Sequence, residues 1–421
     1  MYILLYIVVF MNVLLLTKMK YNTILKPNIL FSLMWCICGS ISTLGLYGMY
    51  NTSHTVNFYA LTAIITFNFV YILSNDCIKS SKIKVAKGII GEVRLVYIYL
   101  LNIISWIFIS RILVNSLKII STGGFKLLRI YAFEGLATTI ELTISQWLVT
   151  PIFEATVILA IVYTITKKKA KYLKIIAIID ILLNIITFGG RYFIVKSLIY
   201  YIIAFIVIKF KNINGLSRIK INKKVIIISI SLIAFLTSMR SWNGTSIIKE
   251  TVLYFTSSFS FLDSLLKENL INDKFNIIPG TGILGFIYNI ILVPITLLLG
   301  IPYRGSDYNL TQITSIPRNI GGGINYNALA TMIYPLLLDF GYIGIIIGTA
   351  FLAILASFIE RMLDRSNKLI YLCMYIFVGN IIFSSVMNYY LIFPATGFTI
   401  IMLIILTKNN KNRIEEINKN E

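Results

Sequence analysis

The residues best suited to chemistry in this chain are ionisable groups set within apolar stretches. Asp180, Asn184, Thr187 and Arg191 follow one another at spacings of 4, 3 and 4, which places all four along one stripe of a helix. A charged group is costly to bury in apolar surroundings, so each is a candidate either for function or for a structural pair. Glu154 and Asp339 each stand about two turns into an apolar run. A buried carboxylate either pairs with a cation, and Arg111 is a partner within reach of Glu154, or carries a shifted pKa suited to base work. Asp339 belongs to Asp339-Phe340-Gly341, where marking a helix boundary is the competing role.

The cations supply the complementary chemistry. Arg191 and Lys196 flank a Gly189-Gly190 turn, and Arg240, Arg304 and Arg318 fall in one long segment further on. Arginine stays charged and its planar fork binds phosphate oxygens in pairs, so these residues suit a diphosphate; anchoring lipid head groups is the alternative. The stretch from Ile316 to Asn327, with Gly321-Gly322-Gly323 at its centre, is the most site-like. Three glycines let backbone N–H groups approach a ligand, Arg318 offers its fork, and Asn325, Tyr326 and Asn327 can bind sugar hydroxyls. The loop is expected to run straight into a helix whose first amides would point at an anion; a flexible hinge is the competing reading. No Walker lysine motif and no dinucleotide fingerprint accompany it. The single histidine, His54, reads as a surface or packing residue. Cys36, Cys38, Cys77 and Cys373 are scattered, so neither a zinc site nor a disulfide framework is expected. Neither a metal nor a cofactor is expected.

The elements that must position these groups follow from composition. Of 421 residues, 57% are hydrophobic and 13% charged, the latter about half the share of roughly 25% in soluble domains. With a mean hydropathy of +0.83, too little polar surface exists to cover a water-soluble fold, and disorder is excluded as well. The net charge of +21 lies in short runs between apolar stretches, where it sets membrane topology instead of binding nucleic acid.

A span needs about 20 mostly apolar residues. Eleven are read: Tyr2–Thr17, Ile29–Tyr50, Phe58–Leu73, Leu95–Leu113, Gln146–Thr166, Ile175–Phe188, Tyr192–Ile208, Val225–Met239, Thr331–Phe358, Leu369–Tyr389 and Leu391–Leu406. The first has no cleavage site and reads as a retained span. With the N-terminus outside, 26 of the 38 cations fall in inner segments, the asymmetry expected of an N-out, C-in protein. The apolar segment Thr281–Ile301 is kept outside as a re-entrant or interfacial helix interrupted by Pro294, because a crossing there would turn the basic runs at 361–368 and 408–413 outward. The expected fold is therefore an all-α polytopic membrane protein in three regions. Residues 1–239 form eight spans with an outer loop at 114–145, residues 240–330 form a large outer loop, and residues 331–421 form three spans and a cytoplasmic tail. Within the large loop, Phe255, Phe259, Leu262 and Leu266 recur at helical spacing, which suits a helix lying on the membrane surface. No repeated half of the kind found in many transporters is evident.

On these residues the chain resembles a known family. The Gly189-Gly190-Arg191 turn is similar to the short outer turn of bacterial oligosaccharide repeat-unit polymerases, the O-antigen polymerase (Wzy) family. So is Asn325-Tyr326-Asn327-Ala328-Leu329-Ala330-Thr331 with the following Tyr334-Pro335 and Asp339-Phe340-Gly341-Tyr342-Ile343-Gly344. The hydropathy profile is similar along nearly the whole chain, including the large outer loop before the last three spans. The resemblance implies a metal-independent glycosyltransferase of the bacterial cytoplasmic (inner) membrane. Its substrate and partner would be undecaprenyl diphosphate-linked oligosaccharide, polymerised at the outer face into O-antigen or capsule, with a chain-length regulator as a further candidate partner. Arg191 matches the family's arginine at that turn; Arg240 and Arg318 are assigned from chemistry and position. The outer-loop histidine of the related O-antigen ligases is missing, which argues against a ligase and leaves the base unassigned. An Arg-x10-Gly pattern carried by some members is also missing. The competing class is a flippase or exporter of the same lipid-linked oligosaccharide, which the intramembrane Asp180, Glu154 and Lys196 would suit; the missing repeat and the large outer loop stand against it. An outer-face acyltransferase would need a catalytic histidine that the chain does not offer.

Overall fold

The structure is a computed structural model and describes residues 1–77, 91–131, 136–211, 223–238, 247–268, 278–301, 303 and 305–408. Among these the fold is almost wholly helical. The helices are α1 (Tyr2–Tyr21), α2 (Pro27–Ser42), α3 (His54–Cys77), α4 (Leu95–Tyr131), α5 (Thr139–Ile144), α6 (Thr150–Ile165), α7 (Lys171–Phe188) and α8 (Tyr192–Phe210). They continue with α9 (Lys223–Ser238), α10 (Ile247–Lys267), α11 (Thr281–Leu299), α12 (Ser306–Ser315), α13 (Ile333–Ser366), α14 (Leu369–Ser384) and α15 (Pro394–Leu406). Two short antiparallel ladders complete it: β1 (Glu92–Val93) with β4 (Thr407–Lys408), and β2 (Arg318–Asn319) with β3 (Asn325–Tyr326). Among the described residues, six helices are long and apolar enough to cross a membrane, and further shorter apolar helices accompany them. The chain is thus an all-α, multi-pass membrane protein; each of the eleven apolar runs overlaps a helix, but Ile29–Tyr50 and Leu369–Tyr389 run past the ends of α2 and α14, and Thr331–Phe358 is broken at Phe340 and Gly341. The reason is general: in hydrocarbon, backbone N–H and C=O groups must pair within their own segment.

By packing, the chain forms two compact units that interleave along the sequence. Unit 1 comprises Met1–Ser80, Ile248–Phe358 and Ile381–Gly397, and unit 2 comprises Ser81–Ile247, Ile359–Asn380 and Phe398–Glu421.

Unit 1 is built on an aromatic core. Phe31 of α2 stacks on Phe67 of α3 with ring centroids 4.1 Å apart, and Trp35 meets Phe259 of α10 edge-on at 5.5 Å. The Trp35 indole donates to Ser385 Oγ at 2.8 Å. The central turns of α10 are buried on every side, so this helix does not lie on a surface as its apolar stripe suggested. Its intervening residues are small serines whose hydroxyls bond inside the protein, Ser258 to the Val386 carbonyl (2.7 Å) and Ser260 to the Tyr50 carbonyl (3.2 Å). That lets both faces of the helix be enclosed.

Two breaks shape the rest of unit 1. Helix α13 is interrupted at Phe340 and at Gly341, whose φ of 59° and ψ of −141° glycine tolerates readily. Asp339-Phe340-Gly341 is therefore a helix boundary. The irregular stretch between α14 and α15, which includes a 3-10 turn at Tyr390–Ile392, is almost wholly buried, and α11 lies directly on that turn. A Cβ at Gly285 would stand 2.5 Å from the Ile392 carbonyl oxygen, and one at Gly397 would stand 2.3 Å from that of Phe286. Asn289 donates to the Ile392 carbonyl at 2.7 Å. Irregular backbone among apolar helices needs such internal partners. Beyond α11 the chain returns to the start of that helix: the Ser306 N–H donates to Thr281 Oγ1 at 3.1 Å.

In unit 2, helices α4, α6, α7 and α8 pack together. At the lysine-rich end of α7, β1 pairs with β4, the Val93 N–H donates to the Tyr163 hydroxyl at 3.0 Å, and Lys168 reaches the Gly91 carbonyl at 3.4 Å. Just past α8, Lys211 is held by Glu360, at 3.1 Å, and Asp364. Burial pulls its ammonium down, but the two carboxylates outweigh this and hold its pKa above the ordinary value. At the other end of α7, Ser116 of α4 donates to the Thr187 carbonyl at 2.8 Å.

Candidate functional site

Unit 2 brings together two of the residues singled out from sequence. Glu154, on α6, forms a buried ion pair with Lys196 on α8 and also accepts from the Tyr200 hydroxyl and from Thr399 Oγ1 on α15, the last at 3.2 Å. Arg111 is not the partner of Glu154. It pairs at 3.0 Å with Glu141, which also closes the capping box of α5 with Thr138. The reason lies in packing: α8 crosses α6 where Lys196 can reach inward, and Tyr200 follows four residues later on the same face. That spacing was readable in sequence; Thr399, from a distant helix, was not.

The polar stripe of α7 faces α4. Asp180 and Thr187 are fully buried and Asn184 nearly so. The indole of Trp106 donates to Asp180 Oδ1 at 2.9 Å, while Asp180 Oδ2 has no hydrogen-bond partner among the described residues. Helix α7 ends where Gly189 adopts a left-handed conformation, with φ of 58°, a position that favours glycine. Arg191 follows, half-buried, as the residue that precedes α8.

Unit 1 holds Arg318, Asp339, Asn325, Tyr326 and Asn327. Arg318 is more fastened than a ligand-binding fork would be. Its Nε bonds Glu268 at 2.9 Å, its Nη1 bonds the Ile313 and Ile316 carbonyls at 2.9 and 3.3 Å, and its guanidinium lies 5.9 Å from the Phe261 ring centre. The glycine stretch is the turn of a hairpin that pairs Arg318 with Tyr326 and Asn319 with Asn325. It does not run straight into α13, which begins at Ile333, where the first amide is met by Thr331 Oγ1 at 3.3 Å. Gly321 is needed for packing. Its φ is 113°, a Cβ there would lie 2.4 Å from the Tyr50 nitrogen, and the Tyr50 N–H donates to the Ile320 carbonyl at 2.8 Å. Asn325 and Asn327 are exposed, and Tyr326 stacks edge-on against Phe261 at 5.5 Å. Asp339 Oδ2 accepts from the Ile283 N–H at 3.0 Å, so this carboxylate meets the first turn of α11. Arg240 and Arg304 lie outside the described residues.

A polar cluster that sequence reading did not single out surrounds that first turn. Tyr303 bonds Asn289 and, at 3.1 Å, Asp307 Oδ1. Tyr334 donates to Asn309 at 2.8 Å, and Thr281 Oγ1 lies 2.9 Å from Ser306 Oγ. The four-residue step from Tyr303 to Asp307 was its only signal. No three metal-ligating side chains converge among the described residues. Comparison with known protein families, with curated proteins and with solved structures returns no match to this chain.

Proposed function

We propose that the protein is a metal-independent membrane glycosyltransferase of the O-antigen polymerase class. It would join undecaprenyl diphosphate-linked repeat units into a surface polysaccharide at the outer face of the bacterial cytoplasmic membrane. The observation that carries this reading is the Gly189-Gly190-Arg191 turn: a half-buried arginine at the end of α7 opposite the lysine-rich one, leading into the helix whose Lys196 is paired with Glu154. A diphosphate leaving group needs such a cation to stabilise developing charge.

The orientation N-out, C-in with eleven spans belongs to the same proposal. It is supported by the meeting of residues from the basic segments 75–94, 167–174 and 408–421 around β1 and β4. The non-crossing of α11 is supported by the contact of Ser306 with Thr281. Helix α11 is broken at Leu284 and carries Pro294, and the seven steps from Leu299 to Ser306, at about 3.5 Å each when extended, let the chain return to the start of α11 and leave no length for a further crossing.

The test is chemical. Purified protein given lipid-linked repeat unit and a chelator, without nucleotide sugar, should yield a ladder of longer lipid-linked glycans, and Arg191→Ala should abolish it. The specific observation favouring a flippase is the buried Asp180, an intramembrane acid of the kind that carries protons in transporters. A folded preparation that makes no ladder yet moves labelled lipid-linked sugar across liposomes would establish that alternative.

A further inference from the structure

We propose that Asp307 is the group that accepts the proton of the attacking sugar hydroxyl, held for that task by Tyr303 and Asn289; this rests on the glycosyltransferase reading above. The argument is a proton inventory. The Asn289 amide nitrogen donates to the Ile392 carbonyl at 2.7 Å, and a carbonyl can only accept. The amide is thereby oriented, and its oxygen is the atom that faces the Tyr303 hydroxyl. That hydroxyl also faces Asp307 Oδ1 at 3.1 Å. One phenolic proton thus stands before two acceptors. With Asp307 ionised, one of the two contacts is left without a proton. With Asp307 protonated, the carboxyl donates to the Tyr303 oxygen, Tyr303 donates to Asn289, and every contact is satisfied. The two Tyr303 contacts are therefore both satisfied only when the carboxyl has gained a proton, which is the property a general base needs.

Three further observations point the same way. None of the ion pairs among the described residues involves Asp307. Burial pushes its carboxyl above the usual range and outweighs the opposing hydrogen bonds of the Tyr303 hydroxyl, the Tyr308 and Asp307 backbone N–H groups and the Asn289 side chain. Gly305 keeps the loop folded over the pair, since a Cβ there would lie 1.8 Å from the Tyr303 hydroxyl and 2.6 Å from Asp307 Oδ1. Asp307 is nonetheless only half-buried, so a substrate hydroxyl can reach it. The titratable side chain that meets it is Tyr303, before α12; on α13, Tyr334 bonds Asn309 and Asp339 bonds the Ile283 N–H, and Arg318, in β2, bonds Glu268.

In the step proposed, the acceptor oxygen bonds to the anomeric carbon of the donor glycan as the bond from that carbon to the diphosphate oxygen breaks. The electron pair leaves with the lipid diphosphate, and the hydroxyl proton passes to the Asp307 carboxylate.

Asp307→Asn keeps the size of the side chain, and its amide can donate to the Tyr303 oxygen, so the loop stays folded. It should slow ladder formation by roughly 10²–10⁴-fold, and Tyr303→Phe should move the acid limb of the pH–rate profile. Asp307→Asn at the wild-type rate, or an unmoved limb in Tyr303→Phe, overturns the assignment while leaving the transferase reading intact. A second measurement is independent of activity. Infrared difference spectra across a pH titration should contain a protonated-carboxyl band in the wild type that is missing in Asp307→Asn. Identical spectra would refute the proton-accepting role even if the enzyme made no ladder, which is the separate failure of the transferase reading.

Discussion

The carboxylate of Asp339, on α13, accepts a hydrogen bond from the backbone N–H of Ile283 in the first turn of α11, at 3.0 Å. A helix N-terminus leaves its first amides without intrahelical partners, and here a side chain from a helix far along the chain supplies one. Replacing Asp339 with alanine should lower stability by about 1 kcal/mol, as loss of a helix cap does, and asparagine should keep most of it. Gly282→Ala should cost more, since its Cβ would lie 2.3 Å from the Pro335 carbonyl oxygen and 2.8 Å from Asp339 Oδ2. Thermal unfolding in detergent would decide this, and an alanine variant as stable as the wild type would show that the contact contributes nothing.

The Glu154–Lys196 pair predicts a non-additive cycle. Removing one partner strands a buried charge, at about 3–5 kcal/mol, whereas removing both can approach neutrality. Glu154→Gln and Lys196→Met should each melt well below the wild type, and the double variant should melt above either. Simple addition of the two losses would mean that the charges do not interact.

The glycine hairpin should be unequal in its tolerance. At Gly323 a Cβ meets open space but the φ of 72° is left-handed, a strain of about 1–2 kcal/mol for alanine. At Gly321 the φ of 113° adds to a clash with the Tyr50 backbone. Gly321→Ala should therefore be much the more damaging of the two, read as melting temperature or membrane yield. Equal effects would show that the hairpin does not pack on the turn at Tyr50.

Lysine keeps the charge of arginine but not its paired geometry. Arg191→Lys and Arg318→Lys should both shorten the glycan in a deletion strain, compared at equal membrane abundance. At Arg318, where Nε and Nη1 bond Glu268 and two carbonyls, a loss of stability should accompany the loss of length. Full-length glycan from both variants would remove these residues from the site.

Reporters fused after Lys174, Lys224 and Arg413 should score cytoplasmic, and those after Gly244 and Ser306 external. A cytoplasmic signal at Ser306 would show that α11 crosses the membrane and would take the outer-loop residues, Asp307 among them, away from the outer face.

What the residues determine by themselves is the set of helices and the identity of the costly groups. In hydrocarbon an apolar run must satisfy its backbone within its own segment, so Tyr192–Phe210 is helical on local grounds, and Glu154, Asp180 and Lys196 stand out because burying a charge is expensive wherever it occurs. Gly189-Gly190 likewise announces a turn, because a left-handed helix end favours glycine. Which groups meet is another matter, because it depends on segments far apart along the chain. Lys196 and not Arg111 answers Glu154 because α8 packs on α6. Gly321 serves a close approach to the turn at Tyr50, which loop composition cannot distinguish from an approach to a ligand. Helix α10 carries an apolar stripe that fits a membrane surface equally well, and only the carbonyls of Val386 and Tyr50 that receive its serines enclose it. The Asn289–Tyr303–Asp307 cluster exists because the Ile392 carbonyl, more than a hundred residues away, orients one amide. Local pattern selects the elements; contacts of high sequence separation select their partners.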